Sequence, residues 1–181
     1  YKRQSMCYPV SSMGSHVSVV PNHQLNRKTP LHTRANVAYF GTFGYELDLN
    51  KLSDEEISEV KQQITFMKEY RELIQFGTFY RLKSPFEGNE TVWMTVSEDK
   101  KTALVFWYRE RNVVNADFTR VRLQGLDPDL IYRNEYNETE NYGDELMNLG
   151  LLTTDCTAGE PTSEDEPCTD YESRIYVLTA K

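Results

Sequence analysis

The sequence predicts a multidomain α+β chain, two βα units followed by an antiparallel β-sandwich, and three observations predict it. Before Gly77, a long stretch repeats its apolar residues at helical spacing. From Thr78 onward the period drops to two, in short runs parted by turn residues. The elements before Gly77 run strand, loop, helix, strand, long helix, the order that two consecutive βα units give.

Taken in order, residues 6–10 are short and apolar, and small residues follow up to Gly14. Residues 15–20 read as a strand, and the polar stretch from Pro21 to Pro30 reads as a loop. Pro30 opens a helix over 31–40, since proline's missing N–H has no partner in a helix's first turn anyway. Residues 41–49 give a turn and a strand. Ser53 is placed to cap the next helix, and Glu56 three residues on completes a capping box. Asp54, Glu55 and Glu56 suit the positive end of that helix. Ile57, Val60, Ile64, Met67, Leu73 and Ile74 form its apolar face, and Gly77 stops it. Strands then follow at 78–83, 91–97, 102–109, 118–123, 130–135 and 174–179, with turns at 85–89, 98–101, 112–117 and 125–129. Residues 153–170 are rich in Thr, Asp, Glu and Pro and read as a loop before the last strand. Two βα units cannot close a parallel barrel, which needs eight. Residues 1–76 are therefore either the remnant of a larger barrel or a piece that leans on the sandwich alone.

Composition bounds the function. The chain is 39% hydrophobic and 12% aromatic, enough to bury a core. Its net charge of −8 argues against nucleic acid or an anionic membrane as partner, because phosphate binding needs clustered Lys and Arg. No run approaches the roughly 18 to 20 apolar residues of a membrane span. The three cysteines, Cys7, Cys156 and Cys168, are few and odd in number, which predicts a reducing, cytoplasmic setting. Cys156 and Cys168 flank one loop and stand there either as a disulfide or as two free thiols. No metal motif is present: His16, His23 and His32 have no cysteine pair beside them. Gly41-Thr42-Phe43-Gly44 is too short for a phosphate loop and lacks the Lys-Ser/Thr. No cofactor is expected.

Several runs resemble the end of the bacterial α-galactosidases of glycoside hydrolase family 36. They are Ser5-Met6-Cys7-Tyr8-Pro9, Met13-Gly14-Ser15-His16-Val17-Ser18, Pro21-Asn22-His23-Gln24 with Arg27, Thr29-Pro30-Leu31 with Thr33-Arg34, and Gly41 through Leu49. The series continues through Tyr70-Arg71, Leu73 to Gly77, Arg81 to Pro85, Gly125 to Pro128, Tyr142 to Met147, Gly150-Leu151 and Asp170 to Arg174. Tyr1-Lys2-Arg3-Gln4 departs from the family's Tyr-Gly-Thr run, and the acidic loop at 155–169 is longer than the family's. The resemblance implies that residues 1–76 end a (β/α)8 catalytic barrel and that 77–181 form the C-terminal antiparallel β-sandwich. It implies a retaining reaction on terminal α-galactosyl residues of melibiose- or raffinose-type oligosaccharides, in a homo-oligomer. It places both catalytic Asp upstream of this chain, which predicts that the chain alone is inactive. The alternative is a stand-alone carbohydrate-binding, structural or oligomerisation sandwich without catalysis.

In a barrel the loops after the strands build the site. That placement makes His16, Asn22 and His23 the candidate substrate-binding residues, because imidazole and amide groups suit sugar hydroxyls. His16 could instead serve only the packing of the barrel mouth. Glu46 and Asp48 read as structural or ion-paired, Glu55 and Glu56 as helix-start residues, and Cys7 as a buried small residue. Trp93 and Trp107 could stack on a sugar, but strand alternation reads them as core.

Overall fold

A computed structural model describes residues 4–113, 118–153 and 170–181. The predicted loop at 153–170, with Cys156 and Cys168, lies almost wholly outside the described residues. The chain divides into two compact units, Tyr1–Phe76 and Gly77–Lys181.

The first unit holds strand β1 (Gly14–Ser18), helix α1 (Leu31–Ala38), strand β2 (Thr42–Glu46) and helix α2 (Asp54–Phe76). β1 and β2 pair in parallel, Gly14 opposite Thr42 and Ser18 opposite Glu46. Parallel neighbours need a crossover, and α1 supplies it. Burial alternates along β1: Ser15 and Val17 are buried, while Gly14, His16 and Ser18 are exposed. The buried face carries the helices. Ser15 Oγ donates to the Ala38 carbonyl of α1. On the same face of β2, Phe43 stacks on Tyr39 with centroids 4.9 Å apart, and Tyr39 meets Phe66 of α2 at 4.9 Å.

α2 forms as its sequence predicts. The Glu56 N–H donates to Ser53 Oγ at 3.3 Å, and the Ser53 N–H donates to Glu56 Oε2 at 3.0 Å. Both are donors that a helix start otherwise leaves unpaired. Val60, Gln63, Met67 and Ile74 are its buried residues. α1 is two residues shorter than predicted. Tyr39 ends it, and the chain turns at Gly41, where φ is +145°. That conformation favours glycine, and a Cβ there would stand 2.5 Å from the Met13 carbonyl oxygen. The Met13 oxygen cannot yield, because it accepts the Thr42 N–H at 2.7 Å and so starts the β1–β2 ladder.

The second unit is a six-stranded antiparallel sheet, in the order β3-β4-β5-β10-β7-β8, with a two-stranded sheet β6-β9. Its strands are β3 (Thr78–Lys83), β4 (Glu90–Val96), β5 (Thr102–Arg109), β6 (Arg120–Val121), β7 (Ile131–Asn134), β8 (Glu140–Tyr142), β9 (Leu151–Leu152) and β10 (Glu172–Ala180). One short helix, α3 (Gly143–Asn148), follows β8. The core joins Val92, Met94, Val105, Trp107, Tyr176 and Leu178 of the sheet to Val121, Leu123, Leu126, Leu146 and Leu151. Each large side chain fully buried there contributes about 1.5–3 kcal/mol. β4 and β5 are buried on both faces: Trp93 and Phe106 are cross-strand partners on one, Val92 and Trp107 on the other. The strand predicted at 118–123 shrinks to Arg120–Val121, because the Leu123 N–H turns away to the Leu146 carbonyl of α3.

Two expectations follow. Gly41→Ala should destabilise the protein by about 2 kcal/mol or more, through both the φ angle and the clash, measured by denaturant unfolding. The second concerns the Tyr45 phenol, which donates to Gln63 Oε1 at 2.7 Å, while Gln63 Nε2 donates to Glu59 Oε1 at 2.7 Å. Burial first, then the Glu59 carboxylate, pushes the Tyr45 phenol from 10.0 up to about 12. Burial raises Tyr39 further still. A pKa raised by folding contributes stability that is complete below the unfolded value and is lost as pH climbs through the folded one. Thermal melts should therefore fall between pH 10 and about 12 as tyrosinate absorbance appears, and Tyr45→Phe should flatten that fall.

Candidate functional site

The parallel pair leaves one face without a helix. In register, that face carries Gly14 beside Thr42, His16 beside Gly44, and Ser18 beside Glu46. Every one of these residues is small or polar. His16 Nε2 lies 2.6 Å from Glu46 Oε2, across the ladder, with both side chains well exposed at 48% and 73%. Gly44, opposite His16, has open space where a Cβ would stand. The imidazole and carboxylate therefore meet over a gap in the sheet surface.

The loop 19–30 leaves the C-terminal end of β1, and the Val20–Pro21 peptide bond within it is cis. Asn22 organises this loop. Its Oδ1 accepts the N–H groups of Gln24 and Leu25, both at 3.0 Å. Its own N–H donates to the Arg27 carbonyl at 2.9 Å, and its carbonyl accepts the Asn26 N–H at 2.8 Å. Asn26 takes a left-handed conformation, φ +50°, which asparagine tolerates better than most residues. His23 is exposed within the loop. The predicted trio thus separates by role: His16 pairs on the strand face, Asn22 ties the loop, and His23 stands on its surface.

Two participants were not singled out as site residues in the sequence. Glu46 reads from the sequence as structural or ion-paired, and its partner proves to be His16. No local pattern pairs these two, since they lie on different strands. Arg34, on α1, donates from Nη1 to the Ser18 carbonyl at 2.6 Å and from Nε to the Thr29 carbonyl at 3.0 Å. Burial holds its guanidinium below the usual pKa, while Glu56 and Glu59 of α2 pull it back up.

The other acids near the strand ends have local duties. Asp48 Oδ1 accepts the Asn50 N–H at 3.1 Å, and those hydrogen bonds hold its carboxyl below the usual range. Glu56 closes the capping box. Beside β2, a groove of about 460 Å³ is lined by Thr42, Tyr45, Met67, Lys68, Arg71 and Gln75, among others. Among the described residues, no group of three or more His, Cys, Asp or Glu could hold a metal ion. No described helix is long and apolar enough to cross a membrane. Trp93 and Trp107 are 5% and 1% exposed, so neither offers a ring face for a sugar to stack on.

Comparison with known proteins bears on both units. The melibiase family model matches residues 1–77, and the glycosyl hydrolase family 36 C-terminal domain model matches 90–178. The α-galactosidase AgaA of Geobacillus stearothermophilus is 52% identical over 81% of this chain, which spans 20% of that protein. Alpha-galactosidase 1 of Pediococcus pentosaceus is 44% identical over 97% of the chain, which spans 22% of it. Among solved structures, the α-galactosidase of Lactobacillus brevis superposes with a TM-score of 0.90 at 43% identity, covering 98% of this chain and 24% of that one. The chain therefore spans about a fifth of the length of the relatives it matches. Matched along nearly its whole length by these two models and these relatives, the chain belongs to glycoside hydrolase family 36.

Proposed function

We propose that this chain supplies the last two βα units of a (β/α)8 barrel and the C-terminal β-sandwich of a retaining α-galactosidase. Such an enzyme removes terminal α-galactosyl residues from oligosaccharides of the melibiose and raffinose type. The observation that carries the reading is the parallel β1–β2 pair, with both helices on one face and a small, polar face on the other. In a (β/α)8 barrel that unit repeats around a closed sheet, helices outward, with the chemistry at the C-terminal ends of the strands. β2 keeps one edge without a described partner, and the groove lies beside it. A further barrel strand and its helix would fit there. The sugar class is supported by relatives: structures of Geobacillus AgaA variants are described as complexes with stachyose and with raffinose.

Retention requires two carboxyl groups about 5 Å apart, one as nucleophile and one as acid and then base. In this reading both come from strands upstream of the chain. The residues here bind and orient. His16 and His23 offer imidazoles to sugar hydroxyls, and Asn22 offers its amide N–H₂, its oxygen being engaged in the loop. Glu46 Oε2 lies 2.6 Å from His16 Nε2 and holds the ring's orientation.

The chain alone should show no turnover of a nitrophenyl α-galactoside. A chimaera in which it replaces the matching end of the Geobacillus enzyme should be active. In that chimaera His16→Ala should lower kcat/KM by about tenfold. Turnover by the isolated chain would overturn the reading, and wild-type KM values in both His16→Ala and His23→Ala would overturn the site assignment.

A further inference from the structure

We propose that Arg34 is a positioning residue that sets where the 19–30 loop stands over the end of β1. The inference rests on the reading of that loop as part of the sugar-binding rim. Its basis is a double tie. Ser18 immediately precedes the loop and Thr29 stands next to its last residue, and one guanidinium holds both carbonyls, at 2.6 and 3.0 Å. Inside this outer tie lies an inner one, the Asn22–Arg27 and Asn22–Asn26 backbone bonds with the two amides on Asn22 Oδ1. The inner tie fixes the shape of the loop. The outer tie fixes its placement, because Arg34 belongs to α1 and α1 is anchored to β1 through Ser15 and Ala38.

Arginine suits this task as lysine does not. Its planar fork presents donors in two directions at once, whereas an ammonium is a single point of charge. Glu56 and Glu59 attract the guanidinium from the α2 side. The loop's attachment runs from α1 through Arg34 to the Ser18 and Thr29 carbonyls. Asn22 and His23 hang from this attachment, so their distance from His16 depends on it.

The test uses the active chimaera and two substitutions, Arg34→Met and Arg34→Lys. Arg34→Met keeps the stem and removes both donors. It should raise KM for raffinose about tenfold while kcat stays within about twofold. Amide hydrogen exchange at Gln24 and Leu25 should speed up in the same variant, and Arg34→Lys should recover part of both effects. If Arg34→Met does not fold, Arg34→Lys is read in its place, with the same signs expected at smaller size. Unchanged KM and unchanged exchange would overturn the role, as would a loss of activity that tracks the loss of folded protein with KM constant. His23→Ala separates the two levels. If it raises KM while the Arg34 variants do not, only the positioning role falls; if neither moves KM, the reading of the loop as a sugar rim falls and takes the role with it.

Discussion

Two neighbouring parallel strands cannot be joined by a tight turn, and that constraint organises the first unit. The chain leaving Ser18 has to come back to Thr42 at the opposite end of the ladder, and α1 makes the return. A crossover helix must cover apolar surface, so one face of the pair is given to Ser15, Val17, Phe43 and Tyr45. The opposite face keeps the residues that packing does not claim. Gly14, His16, Ser18, Thr42, Gly44 and Glu46 all fall there by simple alternation. A one-residue slip would carry His16 into the helix interface and Val17 out of it. Met13 and Gly41 guard against that slip, because the Met13 carbonyl is both the ladder's first acceptor and the wall that Gly41 must pass.

The second unit has a different organising element. β10 comes from the end of the chain yet lies between β5 and β7, in the middle of the sheet. The sheet is therefore incomplete until the last strand is in place. Its register is held by a partly buried polar ladder: Glu172 pairs with Arg109 opposite it and with Arg174, the latter at 2.6 Å. Both guanidiniums lie near the Trp107 ring, 5.4 and 5.6 Å from its centroid. Three interacting charges that rest on an aromatic face tolerate a slip far less than an all-apolar contact would. A shift of one residue would carry Glu172 and Arg174 together to the other face of the sheet and part Glu172 from Arg109.

What the sequence reveals follows from how local each signal is. The capping box at Ser53 and Glu56 and the strands at 78–83 and 102–109 rest on neighbours in the chain, and the structure reproduces them residue for residue. The Asp170-to-Arg174 run is visible as a motif, but its role as a polar ladder depends on Arg109, far away in sequence. β8, α3 and β9 carry no such local signal. They span three, six and two residues, too short for any period to register. α3 is set by tertiary fit: Gly143, at its start, leaves no room for a Cβ against the Asp127 carbonyl. The site divides in the same way. His16, Asn22 and His23 stand out by residue type, whereas Glu46 and Arg34 gain their meaning only from a cross-strand pair and from two loop-end carbonyls.

The distribution of acids bears on how the labour of catalysis would be shared. A carboxyl group that attacks a sugar, or gives it a proton, must reach the reacting atoms. In the first unit the acids near the strand ends are engaged. Glu46 meets His16, Asp48 holds the Asn50 amide, Glu56 closes the capping box and Glu59 accepts from Gln63. Freeing any one of them would leave a donor unpaired, at a cost of about 1–3 kcal/mol where that donor is buried. Asn22 Oδ1 is likewise held within its loop, while His23 stands exposed on the loop surface. Under the proposed reading, these four acids hold the strand ends and the helix start in shape, and the carboxylates that act on the sugar come from elsewhere in a barrel.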